Sequence, residues 1–192
     1  MNFNKARFLM PTPQIATAKN AWVNTVDGEN PDLLALAQQL ISEQIYCTLS
    51  TCSPEGMPWG TPLFFVFDDV LNIYWSSAIA AQHSQNLYHN QGQGTITIYD
   101  PTKVKALYFS GIATELAELP QLTQILELFD LRAKRPNPRS ANDYLDESPR
   151  RMYQFKIDKA WIAGDRLQVT TQLIDTKTEL NTNLLKQMQL VR

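Results

Sequence analysis

The stretch Pro58 to Ser77, PWGTPLFFVFDDVLNIYWSS, decides the fold. Its first part, Trp59 to Phe67, is apolar almost throughout and rich in aromatic residues, which predicts a strand covered on both faces. Asp68-Asp69 interrupts the run and Leu71 to Ser76 resumes it, so the two segments read as a hairpin. Upstream, Ile45, Cys47 and Leu49 alternate with Tyr46, Thr48 and Ser50, the period of a half-buried strand. Ser53-Pro54-Glu55-Gly56 then supplies a turn, with Pro fixing φ and Gly accepting a positive φ. Before that strand, Asn30-Pro31-Asp32 offers an N-cap, a proline at the first helical position and an acid for the helix dipole. A helix of about ten residues follows, with Leu33, Leu36, Ala37, Leu40 and Ile41 forming its apolar stripe.

Downstream, the pattern predicts a helix at about Ala78 to Asn90, a strand at Thr95 to Tyr99, a turn at Asp100-Pro101 and a long strand from Val104 to about Ala117. Leu119-Pro120 opens another helix, with Leu122, Ile125, Leu126 and Phe129 on one face, and Pro136 ends it. Tyr153, Phe155 and Ile157 alternate with polar residues in a last strand that runs to Trp161-Ile162-Ala163-Gly164. Six strands in meander order, with a helix between the third and fourth, predict a mainly β protein with helices: an α+β fold built on a six-stranded antiparallel barrel.

The 192 residues suit one domain, and 44% hydrophobic with 19% charged residues is the composition of a globular chain. The domain is expected over 31–171, with an N-terminal extension over 1–30 and a C-terminal tail over 172–192 whose Leu184, Leu185, Met188 and Val191 would cap the fold or a partner chain. A net charge of −2 gives no general attraction to nucleic acid or anionic membranes, so neither is expected as a partner. No apolar run reaches the roughly eighteen residues of a membrane span and the N-terminus carries no signal-like stretch, so the protein reads as cytoplasmic. Cys47 and Cys52 form neither a zinc quartet nor a C-x-x-C pair. His83 and His89, six apart, point to different sides of a helix, so no metal is expected.

Two places are suited to chemistry. Tyr74-Trp75-Ser76-Ser77 runs into the helix carrying His83, and a strand ending in two hydroxyls at a helix start offers unpaired amides and a favourable dipole to an anion. The structural alternative makes Ser77 an N-cap and His83 a hydrogen-bonded surface residue; on either reading both are expected near the surface. The second place is Pro58 to Val66: a core strand by default, but one whose amides beside aromatic walls would also suit a flat ring with a polar edge. Arg132, Lys134, Arg135 and Arg139 lie among two prolines, and Arg150-Arg151 follow; these make either a solvated basic loop or a contact for an anionic ligand or a neighbouring subunit. Without a G-x-S-x-G elbow, a P-loop or a G-x-G-x-x-G turn, any enzyme here takes its reactivity from a cofactor.

The order of motifs carries a resemblance. Tyr46 to Thr51, Glu55 to Phe65, Ile73 to Ser77, His83 to Leu87 with Asn90, and Tyr108 to Ala113 together resemble the pyridoxamine 5′-phosphate oxidase-like flavoproteins, whose fold is the FMN-binding split barrel, over about Leu40 to Leu167. The resemblance implies a homodimer with FMN in a groove at its interface. By position, Thr61, Pro62, Leu63, Phe64, Phe65 and Val66 would line the flavin, Ser76 and Ser77 would meet the ribityl phosphate, and Gln82 and His83 would be the phosphate-binding pair. Trp161 matches a tryptophan that approaches the flavin.

The departures from that pattern are specific. The family's oxidases have an arginine where this chain has Thr61 and Arg-Lys where it has Gln82-His83, so the phosphate site is less positive, with Lys103, Lys105 or an arginine of a second subunit to make up the charge. Their C-terminal Arg-Leu-His-x-Arg survives only as Arg166-Leu167, with Gln168 and Thr170 in the remaining places; Arg166 stays a substrate candidate and vitamin B6 is disfavoured. The implied function is an FMN-dependent oxidoreductase acting on an unidentified small molecule. The alternatives are a non-catalytic flavin- or haem-binding protein, in which haem would use His89 or a non-histidine ligand, and a cofactor-free dimer with its groove blocked by Trp59, Phe64 or Trp75.

Overall fold

The computed structural model describes residues 23–134, 136–169 and 171–187. Helix α1 (Pro31–Glu43) starts as its sequence dictates: the Asn30 side chain accepts from the Asp32 amide at 2.9 Å, and Pro31 sits in the first turn. Its buried stripe is Leu34, Ala37, Leu40 and Ile41: the last three are as expected, Leu34 joins them, and Leu33 and Leu36 lie at the margin of the core. Strand β1 (Val23–Asn24) precedes it and pairs in parallel with a late strand, β11 (Lys177–Leu180).

The barrel strands follow in chain order. They are β2 (Tyr46–Cys52), β3 (Pro58–Phe64), β4 (Val66–Phe67), β5 (Ile73–Ala78), β6 (Gln93–Asp100), β7 (Lys105–Glu115) and β8 (Arg150–Ala163). β3 pairs with β2 along its whole length; after Phe65 alone, β4 pairs with β5 through Val66↔Tyr74 and Phe67↔Ile73. β5 pairs with β8, β8 with β7, β7 with β6 and β6 with β2, all antiparallel. With β3–β4 taken as one bent strand the circuit is the expected six-stranded antiparallel split barrel, but not in the expected meander order, because β5 pairs with β8 and the next strand, β6, pairs with β2; β1, β11 and the hairpin β9 (Leu167–Val169)–β10 (Gln172–Ile174) are additional to the six.

β8 is the hub. Its 14 residues pair with β5 over Arg150–Phe155, with β7 over Tyr153–Ile162 and with β11 over Ala160–Ala163. β7 passes it through a bulge between Ser110 and Gly111, where a Cβ on Gly111 would lie 2.1 Å from the Lys156 carbonyl oxygen, so no larger residue fits. Inside the barrel Phe65, Phe67, Phe109 and Phe155 are fully buried and Trp75 stacks on Tyr153 at 5.5 Å. A second cluster sits outside the sheet, where helix α3 (Leu119–Ala133) lays Leu122, Ile125, Leu126 and Phe129 against Val66, Tyr74 and Met152.

Three further expectations are corrected. The strand from Trp59 to Phe67 is not continuous and not covered on both faces: it breaks at Phe65, where the chain changes partner from β2 to β5, and Pro58 to Gly60 and Pro62 are exposed. The helix expected from Ala78 is α2 (Gln82–His89): pairing of Ala78 with Arg150, and the Ile79 amide donating to the Pro149 carbonyl, carry β5 past the point where a helix would begin. β7 starts at Lys105, since Val104 adopts φ 51° at the preceding turn. Leu180 of β11 and Leu185 of helix α4 (Thr182–Gln187) enter the core; Met188, Val191 and residues 1–22 of the expected extension lie outside the described residues. Among the described residues no helix is long and apolar enough to cross a membrane.

Arg132, expected in a basic loop, is a core-side tether. Its Nη2 donates to the carbonyls of Ile41 (2.9 Å) and Gln44 (2.5 Å), capping the C-terminus of α1, while its guanidinium lies 4.9 and 4.8 Å from the ring centres of Phe65 and Phe67. Arg132→Met keeps the stem but strips those carbonyls of their donor. It should lower stability by about 2–3 kcal/mol, read as a fall in the urea midpoint at unchanged slope.

Candidate functional site

β3 and β5 part company beyond the Val66↔Tyr74 pair. Among the described residues, β3 from Phe64 back to Pro58 has β2 on one side and no strand on the other, and β5 from Trp75 to Ala78 has only β8. The opening between them is the split of the barrel, and both bordering edges carry backbone donors and acceptors outside the ladder.

The side chains of the expected flavin-lining segment divide between faces, as the strand period requires. Leu63 and Phe65 enter the core, Val66 is buried under α3, and Phe64 is half-buried between Tyr46 and Phe129. Thr61 and Pro62 are the members that remain accessible, and the Thr61 hydroxyl is buried without a hydrogen-bond partner. Of the three residues considered as blocking the groove, Trp75 is inside the barrel, Phe64 packs on α3 and Trp59 is half-exposed at the open end of β3.

Ser76 and Ser77 point to opposite faces of β5, so one phosphate does not meet both hydroxyls. Ser77 faces inward, and its Oγ lies 2.7 Å from His83 Nε2; both residues are buried, contrary to the expected surface position. Ser77 is not a helix cap either, because the N-cap of α2 is Ala81, with no side-chain bond. Gln82 is exposed and donates to Asn86 Oδ1, while Asn86 Nδ2 donates to Thr51 Oγ1 and ties α2 to β2. Ser76 faces outward and accepts from Arg139 Nη1 at 3.2 Å and Arg150 Nη2 at 3.3 Å. Sequence reasoning did not connect these two arginines to Ser76; their signal was the cluster of basic residues among prolines. Arg151, next in sequence, turns the other way, to Glu115 at 3.7 Å and to the carbonyls of Ser148 and Asp146. Lys103, one of the expected compensating charges, is engaged with Asp100 at 3.4 Å.

Trp161 belongs to another place. The registers Pro62↔Thr48, Thr48↔Thr97, Thr97↔Tyr108 and Tyr108↔Trp161 set these residues in one row on the outer face of the sheet. Pro62 and Trp161 thus lie on the outer face of different strands, β3 and β8, four steps apart along β2, β6 and β7. Trp161 lines a groove of about 460 Å³ with Thr97, Tyr108, Asp175 and Lys177; its Nε1 is buried without a partner and Lys177 Nζ lies 4.9 Å from its ring centre. Arg166 is at the same end, exposed, its Nε 2.8 Å from Asp175 Oδ1.

Burial pushes the His83 imidazole below its ordinary pKa, favouring the neutral ring that shares a hydrogen with Ser77. The unfolded chain therefore binds the proton more readily: stability is intact above about pH 6.5 and is lost as pH falls through the lowered native value. Chemical denaturation between pH 7 and 5 should show this loss, and His83→Gln should flatten it in that interval.

A family model described as pyridoxamine 5′-phosphate oxidase matches residues 33–162. Among solved structures, a protein of unknown function from Agrobacterium tumefaciens superposes with a TM-score of 0.58 at 17% identity, covering 72% of this chain and 59% of that one. A protein related to general stress protein 26 of B. subtilis, of the pyridoxinephosphate oxidase family, from Clostridium acetobutylicum gives 0.53 at 12%, covering 76% and 94%. A heme binding protein from Mycobacterium smegmatis gives 0.55 at 18%, covering 79% and 62%. The chain thus spans less than two thirds of the first and last of these, and at such identities the likeness is one of fold. No curated protein matches. The family match covers the whole barrel from α1 to the end of β8, and the chain belongs to the pyridoxamine 5′-phosphate oxidase family.

Proposed function

We propose that this protein binds FMN at the split between β3 and β5 and works as a flavin-dependent oxidoreductase on a small molecule other than vitamin B6. The observation that carries the reading is the divergence of β3 and β5 after Val66↔Tyr74, which leaves two backbone edges and the unpartnered Thr61 hydroxyl around one opening. Strand amides and carbonyls suit the polar rim of a flat heteroaromatic ring, and a buried orphan hydroxyl calls for a partner. When bound, the flavin supplies the redox chemistry. The chain's part is to hold it: Thr61 and Pro62 with the edge of β3 at the ring, and Ser76 at the outward end of β5.

The reading includes a homodimer. Trp161 has an unpartnered indole N–H on the outer sheet face, four strands from Pro62 along β2, β6 and β7, and a second copy packed on that face would carry its own Trp161 to a ligand in the split. The row Thr48, Thr97, Tyr108 on the outer sheet face would then be the contact between copies. Within one chain the haem alternative has less support: His83 is committed to Ser77, and His89 is exposed at the end of α2.

Titration of the purified protein with FMN, followed by flavin fluorescence and thermal melting, tests this. At about a hundredfold excess over Kd the melting temperature should rise by about 5–10 °C. NAD(P)H should reduce the bound flavin faster than free FMN. No binding at saturating FMN contradicts the reading, and binding with no faster reduction reduces it to flavin storage.

A further inference from the structure

Ser76 receives two guanidiniums on one neutral oxygen. Arg139 comes from the loop after α3 and Arg150 from the start of β8, 63 and 74 residues away in sequence. Among the described residues, Lys103, Arg151, Lys159 and Arg166 each pair with a carboxylate, whereas neither Arg139 nor Arg150 does. Two like charges meeting at a hydroxyl repel each other, and a neutral acceptor does not offset that repulsion.

The arrangement is nonetheless held in place. Arg139 Nη1 also donates to the buried Tyr144 hydroxyl at 2.5 Å, and its guanidinium lies 5.9 Å from the ring centres of both Phe129 and Tyr144. Tyr144 closes a 3₁₀ turn (Ala141–Tyr144) fixed by a capping box from Ser140. Arg150 is set by its pairing with Ala78, two residues along β5 from Ser76 and on the same face. Ser76 and Arg139 are half-buried and Arg150 is exposed, so the cluster is open to solvent. Two forked donors of charge +1 and a hydroxyl, converging and accessible, match a tetrahedral dianion in both charge and hydrogen-bonding capacity.

We propose that Ser76, Arg139 and Arg150 form a binding site for a phosphomonoester dianion, supplying the charge that Gln82 and His83 do not. The site itself stands on this geometry; only the further statement that its phosphate belongs to FMN rests on the function proposed above. The phosphate of a second small molecule would use the same chemistry.

Calorimetric titrations of inorganic phosphate, FMN and riboflavin into wild type, Arg150→Gln and Arg139→Lys at low ionic strength separate these cases. Arg150→Gln, an exposed position, should leave the melting temperature unchanged and weaken inorganic phosphate and FMN roughly tenfold while leaving riboflavin untouched. FMN should also displace inorganic phosphate. If the FMN-loaded protein still binds inorganic phosphate in an Arg150-dependent way, the site stands and its phosphate belongs to another ligand. If no flavin binds but inorganic phosphate does, with the same dependence, the flavin reading fails and the site stands. Phosphate and FMN affinities unchanged in both variants would overturn the proposal.

Discussion

Between Phe64 and Val66 the chain leaves β2 for β5, and the packing around Phe65 holds that transfer in place. The Phe65 amide makes the last bond on the β2 side, to the Ile45 carbonyl at 3.3 Å, while its fully buried ring lies beside Phe67 with Arg132 over both. Because Arg132 is also the donor to the last carbonyls of α1, the bend is fastened to α1 and α3 together. A straight strand at this point would keep β3 on β2 and leave β5 without its second neighbour. The bend closes the barrel at one end and opens it at the other.

That opening sets where binding can occur. Past the bend, alternation along β5 sends Trp75 and Ser77 into the barrel and Tyr74 and Ser76 out of it. Inside, Ser77 meets His83 and fixes α2 across the end of the barrel. Outside, Ser76 meets Arg139 and Arg150 beside the edge of α3. Two adjacent serines thus have different work, one structural and one facing solvent with positive charge around it. The same period, carried across β2, β6, β7 and β8, puts Trp161 on the outer face of the sheet, where the proposed contact between two copies of the chain would lie.

Much of this was legible in the sequence. The alternation around Cys47 and Leu49, the N-cap at Asn30, the helix start at Leu119-Pro120 and the hairpin at Asp68-Asp69 are local signals, and the elements formed where those signals stood. The break at Phe65 was not legible, because an aromatic run reads alike whether it stays with one partner or changes to another; only long-range pairing decides. The late start of α2 was hidden for a related reason: pairing with Pro149 and Arg150, 70 residues on, extends β5 beyond its local propensity. The basic residues between Arg132 and Arg151 were visible as a group, but composition does not sort them. Position assigns Arg132 to the α1 cap, Arg151 to Glu115, and Arg139 with Arg150 to Ser76.

Hydrogen–deuterium exchange with and without FMN tests the central claim, that a flavin nucleotide lodges in the split, most directly. Slower exchange is expected at the backbone amides of Gly60 and Phe64 on β3 and of Ser76 on β5 when FMN is present, because alternation turns these donors away from β2 and β8 and toward the opening. Unchanged exchange along both edges, with FMN protecting amides elsewhere in the protein, would contradict it.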